Sequence, residues 1–135
     1  MEDLTGAQEN QKTILVVDDD PGILNFVSSL LVDSDYKVLT ATSGEAALHQ
    51  SKVYKGEIHL LLSDFQMPSM SGIELAVQMS LDRPQIKVLM MSGFTGGMLV
   101  LNEGWHFLAK PFVPSQLRAL ILGLVFPNGN PPSRQ

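Results

Sequence analysis

The sequence predicts an α/β fold of five βα units, doubly wound around a five-stranded parallel sheet. Two patterns carry that expectation. Short apolar, β-branched runs alternate along the chain with segments of helical periodicity. The strand-like runs are apolar throughout rather than alternating, as in strands buried on both faces, and such strands need crossover helices and run parallel. Size agrees, since 135 residues, 44% of them hydrophobic, suit one domain with a full core.

The elements follow in order. Thr13 to Val17 is the first strand, and Asp18, Asp19 and Asp20 follow it at once. Asp20 reads as a helix cap and Pro21 fits the first turn. Ile23, Phe26, Val27, Leu30 and Leu31 then share one helix face. Tyr36 to Thr40 is the second strand, and Thr42 with Glu45 is a capping box for a helix through Ala46, Ala47 and Leu48. Ile58 to Ser63 is the third strand. Ser71 and Glu74 form a second capping box, opening a helix through Ile73, Ala76, Val77 and Met79. Pro84 interrupts, and Ile86 to Met91 is the fourth strand, where Met90 and Met91 read as sheet packing. Between Phe94 and Gly104, Gly96 and Gly97 disfavour a helix, so the fourth helix is expected to be short or irregular. Trp105 to Leu108 is the fifth strand. Leu117, Leu120, Ile121 and Leu124 mark a closing helix.

Residues 1–12 and 127–135 read as flexible polar tails on a domain at 13–126. A net charge of −5 without a Lys/Arg cluster argues against direct nucleic-acid binding. The chain has no cysteine, which rules out disulfides and thiolate metal sites. The N-terminus lacks an apolar signal core and no apolar run is long enough for membrane insertion, so the expected location is cytoplasmic. His49, His59 and His106 lack ligand spacing and read as surface or partly buried side chains.

Chemistry gathers at the strand ends. The first strand ends in Asp18, Asp19 and Asp20, the third in Asp64, the fourth in Ser92 and the fifth in Lys110. In open parallel sheets, ligands bind beyond the carboxyl ends of the strands, so these groups are expected to converge. Carboxylates about 4 Å apart repel by roughly 4 kcal/mol per pair at an effective dielectric of 20, and a bound cation offsets this. An all-oxygen donor set suits a hard ion, Mg²⁺ or alternatively Mn²⁺. Lys110 supplies a point charge for a phosphate, and Ser92 a hydroxyl for a phosphoryl oxygen. Asp64 stands alone at a strand exit, where a carboxylate can carry a phosphoryl group as an acyl phosphate.

The motifs VVDDDP, SDFQMPSMSG, MMSGF and FLAKPF, in that order and spacing, resemble the response-regulator receiver domain of two-component signalling from about Thr13 to Leu124. The resemblance implies a flavodoxin-like sheet of order 2-1-3-4-5. It also implies that Asp64 is the phosphoacceptor, that Asp19, Asp64 and the backbone carbonyl of Gln66 bind Mg²⁺, and that Asp18 acts through water. Ser92 and Phe107 take the switch positions, Lys110 contacts the phosphate, and Lys110–Pro111 is expected to be cis. Phe107 replaces the more familiar tyrosine, Ser71 stands where the family often has aspartate, and Gln66 and Phe94 occupy positions that tune the phosphorylated lifetime.

The function so implied is a phosphorylation-dependent switch in a phosphorelay, not an enzyme. A sensor histidine kinase or histidine phosphotransfer protein donates the phosphoryl group, and a further protein reads the result. No DNA-binding output domain follows Phe126, so a stand-alone receiver or a piece of a hybrid kinase is expected, with Met1 favouring the former. Two alternatives stay open. Asp18 and Asp20 form an Asp-x-Asp pair, as in Mg²⁺-dependent aspartyl-nucleophile phosphatases, although Pro21 breaks the continuation of that motif. A pseudoreceiver that takes no phosphate is the other, although such modules typically lose an acid or the lysine. Taken singly, the acids also read as helix-dipole partners, Asp64 as a turn residue and Lys110 as a solvated charge.

Overall fold

The computed structural model describes residues 11–93 and 105–127. Five strands form one parallel sheet: β1 (Thr13–Val17), β2 (Lys37–Ala41), β3 (Leu60–Asp64), β4 (Lys87–Ser92) and β5 (Trp105–Ala109), in the order β2-β1-β3-β4-β5. The helices are α1 (Pro21–Asp33), α2 (Gly44–Val53), α3 (Gly72–Asp82) and α4 (Pro114–Val125). The doubly wound fold and strand order expected from the sequence are therefore observed. The irregular fourth helix expected between Phe94 and Gly104 lies outside the described residues.

The alternation of side chains along each strand separates two cores. Ile14, Val16, Leu60, Leu62, Leu89 and Met91 face one side, where Val27 and Leu31 of α1 and Leu117 and Ile121 of α4 cover them. Leu15, Val17, Leu61, Val88 and Met90 face the other, covered by Ala47 of α2 and by Leu75, Ala76 and Met79 of α3. No polar face is left on the central strands, which is why their sequence runs apolar without alternation.

Two helix faces differ from the expected ones. On α1, Leu24 is buried and Phe26 is 48% exposed. On α3, Leu75 is buried and Val77 is 44% exposed. The stripe Leu24, Val27, Leu31 meets the sheet squarely at i, i+3 and i+7, and this leaves Phe26 on the outer side. The cap of α2 also shifts by one residue. Ser43, not Thr42, caps it, its hydroxyl accepting the Ala46 N–H at 3.0 Å. The Ser71–Glu74 capping box is present in both directions. The N-terminal edge is tied down before β1, where Lys12 O accepts the Lys37 N–H at 2.9 Å and the Lys12 ammonium lies 5.3 Å from the Phe126 ring centroid. Among the described residues, no helix is long and apolar enough to cross a membrane.

Candidate functional site

The three acids after β1 take three different roles. Asp20 caps α1, its Oδ1 accepting from Gly22 N at 2.8 Å and Ile23 N at 3.4 Å. Asp18 is turned under the loop and only 1% exposed, and its Oδ1 accepts the Asp20 N–H at 2.9 Å. Asp19 stays exposed at the mouth. The crowding of like charges is thus partly local structure. One acid starts the helix, one anchors the turn, and one faces solvent.

Asp64 arrives from β3, next to β1 in the sheet, so the ends of these strands bring it to the same place. Carboxylate oxygens of Asp18, Asp19 and Asp64 lie within 4.8 Å of one another. Lys110, just past β5, reaches across the sheet end. Its Nζ donates to Asp18 Oδ2 at 3.2 Å and to Asp64 Oδ1 at 3.1 Å. Burial pushes the Asp64 carboxyl above its usual range, the Lys110 bond and charge pull it down, and the charges of Asp18 and Asp19 push it up again, leaving a net rise. Burial alone would lower the Lys110 ammonium, but the bond to Asp64 and the charges of Asp18 and Asp64 outweigh it and hold the ammonium above the ordinary lysine value.

Ser92 closes β4 in register with Ala109, is 2% exposed, and its carbonyl accepts the Lys110 N–H at 2.7 Å. That bond aligns the Lys110 backbone with the end of β4. The Lys110–Pro111 peptide is cis, as the resemblance implied. Gln66 is exposed in the loop leaving β3. Phe107 stands apart from the acids: it is partly buried on β5 opposite Met90 and packs on the α2/α3 core. Two neighbours of Asp64 escaped the sequence reading: Ser63 Oγ donates to the Asp64 carbonyl at 2.9 Å, and Gly72 N donates to the Phe65 carbonyl at 2.9 Å. A serine closing the apolar run of β3 was the available signal.

A hard divalent ion fits this donor set. The three side chains are carboxylates at the open end of the sheet, without imidazole or thiolate, and close enough for one ion to contact more than one of them.

Comparison with known proteins agrees with this geometry. The family model of the response regulator receiver domain matches residues 14–122. A two-component response regulator of Arabidopsis thaliana is 34% identical over 106 residues, 77% of this chain and 17% of its own length. The rice (Oryza sativa subsp. japonica) two-component response regulator ORR3 is 33% identical over 118 residues, 83% of this chain and 89% of its own. The crystal structure of a response regulator receiver domain protein from Clostridium thermocellum superposes with a TM-score of 0.77 at 26% identity, covering 87% of this chain and 96% of that one. The fold and site define a signalling domain, and the chain belongs to the response regulator receiver domain family of two-component systems. Phosphorylation and Mg²⁺ binding are typical of that family. The chain spans only part of some relatives, as the Arabidopsis protein illustrates.

Proposed function

We propose that this chain is a phosphorylation-dependent switch in which Asp64 accepts a phosphoryl group from a phosphohistidine of a sensor kinase or phosphotransfer protein. The observation that carries the reading is the Lys110 ammonium held between Asp18 and Asp64 beside the exposed Asp19. Asp18, Asp19, Asp64 and the carbonyl of Gln66 would hold Mg²⁺, with Asp18 acting through water. When bound, the ion supplies positive charge against the incoming phosphate oxygens.

The chain's own residues account for the rest. An Asp64 oxygen forms a bond to phosphorus while the P–N bond breaks, and the imidazole leaves with the electron pair. Lys110 turns from carboxylate to phosphate and neutralises the added charge. Ser92, at the end of β4, donates its hydroxyl to a phosphoryl oxygen. Repacking of Phe107 on β5 then passes the state outward as a population shift. The domain acts once per phosphorylation event and is not an enzyme in this reading. It occupies 13–126, lies in the cytoplasm and signals to a protein rather than to nucleic acid, in keeping with a net charge of −5.

Asp20 bonds to the start of α1 instead of joining the cluster, which weighs against the Asp-x-Asp phosphatase reading. The retention of Asp18, Asp19, Asp64 and Lys110 weighs against a pseudoreceiver. Acetyl phosphate with Mg²⁺, followed by intact mass and site mapping, tests the proposal. Wild type should gain one phosphoryl group on Asp64, and Asp64→Asn none. Equal gain by both proteins would refute the assignment, and no gain by wild type would refute the switch.

A further inference from the structure

We propose that Ser63 is a positioning residue for phosphoryl capture, its buried hydroxyl holding the carbonyl of Asp64 and thereby fixing where the Asp64 carboxylate stands. The proposal rests on Asp64 being the phosphoacceptor. β3 reads Leu60, Leu61, Leu62 and then Ser63, whose side chain is 0% exposed. It lies on the sheet face of the α2/α3 core, in register with Val17 on one side and Met90 on the other, both fully buried. A hydroxyl in such an apolar layer is costly unless it is bonded. Its bond is to the next residue, Ser63 Oγ donating to Asp64 O at 2.9 Å.

That carbonyl stands where the ladder with β1 runs out. β1 pairs with β3 from Ile14↔Leu60 to Val17↔Ser63 and stops, so no residue of β1 pairs with Asp64. The hydroxyl takes over as donor at that point. Beyond it the backbone is braced by contact and by two more bonds. A Cβ on Gly72 would overlap the Asp64 carbonyl oxygen, so only glycine lets α3 start this close. Gly72 N donates to Phe65 O at 2.9 Å, and Phe65 N donates to Met91 O at 2.7 Å. The direction of the Asp64 side chain follows from this clamped backbone. Capture of phosphorus demands a near-attack geometry, and small shifts of the nucleophile are expensive in rate. The Ser63 hydroxyl bonds the carbonyl of Asp64 and not its carboxylate, so it acts through the backbone.

The test measures phosphorylation of the full chain by acetyl phosphate with Mg²⁺, as the rate constant at saturating donor per folded molecule. In this reaction an Asp64 oxygen bonds to phosphorus, the P–O bond to acetate breaks, and acetate leaves with the electron pair. Ser63→Ala keeps a small side chain beside Met90 and removes only the donor. It should lower the rate constant about tenfold with little change in donor KM. Ser63→Thr keeps the hydroxyl and should return the rate to within about threefold of wild type. If the added methyl prevents folding, Ser63→Cys, a weaker donor of similar size, should fall between Ala and wild type. An Ala variant at the wild-type rate, slowed only through KM, or no slower than Thr or Cys overturns the proposal. Failure of wild type to be phosphorylated is a separate outcome and overturns the Asp64 assignment, whatever residue 63 does.

Discussion

Removing Lys110 and removing Asp64 should have opposite effects on stability. The Asp18 carboxylate is almost fully buried, and Lys110 is the side-chain cation bonded to it. Lys110→Met would leave that charge with the Asp20 N–H and two like neighbours. Breaking a buried pair from one side costs about 3 kcal/mol, which urea unfolding in chelator would read. The same experiment on Asp64→Asn should show a gain in stability at neutral pH. The folded state raises the Asp64 pKa, so its ionised form is disfavoured by folding, and an amide that still accepts from Lys110 relieves this. A loss of stability in Asp64→Asn would mean that the lysine bond outweighs burial and repulsion.

His59, at the opposite end of the sheet, titrates in the other direction. Its Nδ1 accepts the Thr13 N–H at 3.0 Å, and its Nε2 lies 3.4 Å from Glu57 Oε1. Burial, the largest cause, lowers its pKa, the Glu57 charge raises it and the Lys12 charge lowers it, for a net fall below 6.5. The unfolded chain therefore binds this proton first. The contribution of His59 is complete above about pH 6.5 and is lost as pH falls below that value. Stability should fall as the pH drops below about 6.5, and His59→Gln should flatten that part of the profile. An unchanged profile in the variant would assign the titration elsewhere.

At the scale of elements, the turn after α1 shows how local geometry overrides composition. Tyr36 N donates to Leu31 O at 3.1 Å and Asp35 N to Val32 O at 3.0 Å, the paired bonds of a Schellman motif. Asp35 occupies the left-handed position with φ 71°, where glycine is usual. Asp35→Gly should stabilise by about 0.5–1 kcal/mol in thermal or urea unfolding. A neutral or destabilising result would mean that the aspartate side chain compensates its own strain.

How far the elements could be read from sequence has the same physical root. The strand ends were legible because an apolar run stopped by an acid, serine or lysine is a signal along one dimension. Asp18, Asp19, Asp64, Ser92 and Lys110 were each found that way. Helix faces were less legible, since residues 23 to 31 of α1 contain two overlapping apolar stripes and only the packed sheet selects Leu24 over Phe26. Arg83 was invisible. Its guanidinium donates to Ser51 Oγ at 2.9 Å and to the carbonyls of Ser51, Tyr54 and Gly56, closing the end of α2 from a distant part of the chain. Gly72 likewise owes its identity to the Asp64 carbonyl, a neighbour that no local pattern discloses.

At the scale of the whole molecule, the acidic end of the sheet should couple metal binding to global stability. Three carboxylates within 4.8 Å of one another make folding gather like charge that the unfolded chain disperses. A divalent ion that binds this cluster and not the unfolded chain must raise stability by mass action, about 2.7 kcal/mol at a hundredfold excess over its Kd. The melting temperature should therefore climb steadily with the logarithm of Mg²⁺ concentration once the site is half filled. Sodium chloride at matched ionic strength separates binding from screening, because screening weakens repulsion between exposed charges without needing a site. Asp19 is the discriminating residue, being exposed, whereas Asp20 bonds to the start of α1 and Asp18 to Lys110. Asp19→Asn should make the metal-free protein slightly more stable than wild type while removing most of the Mg²⁺-dependent rise. If sodium chloride reproduces the whole effect, or if Asp19→Asn retains it, the cluster is a patch of repelling charge and not a metal site.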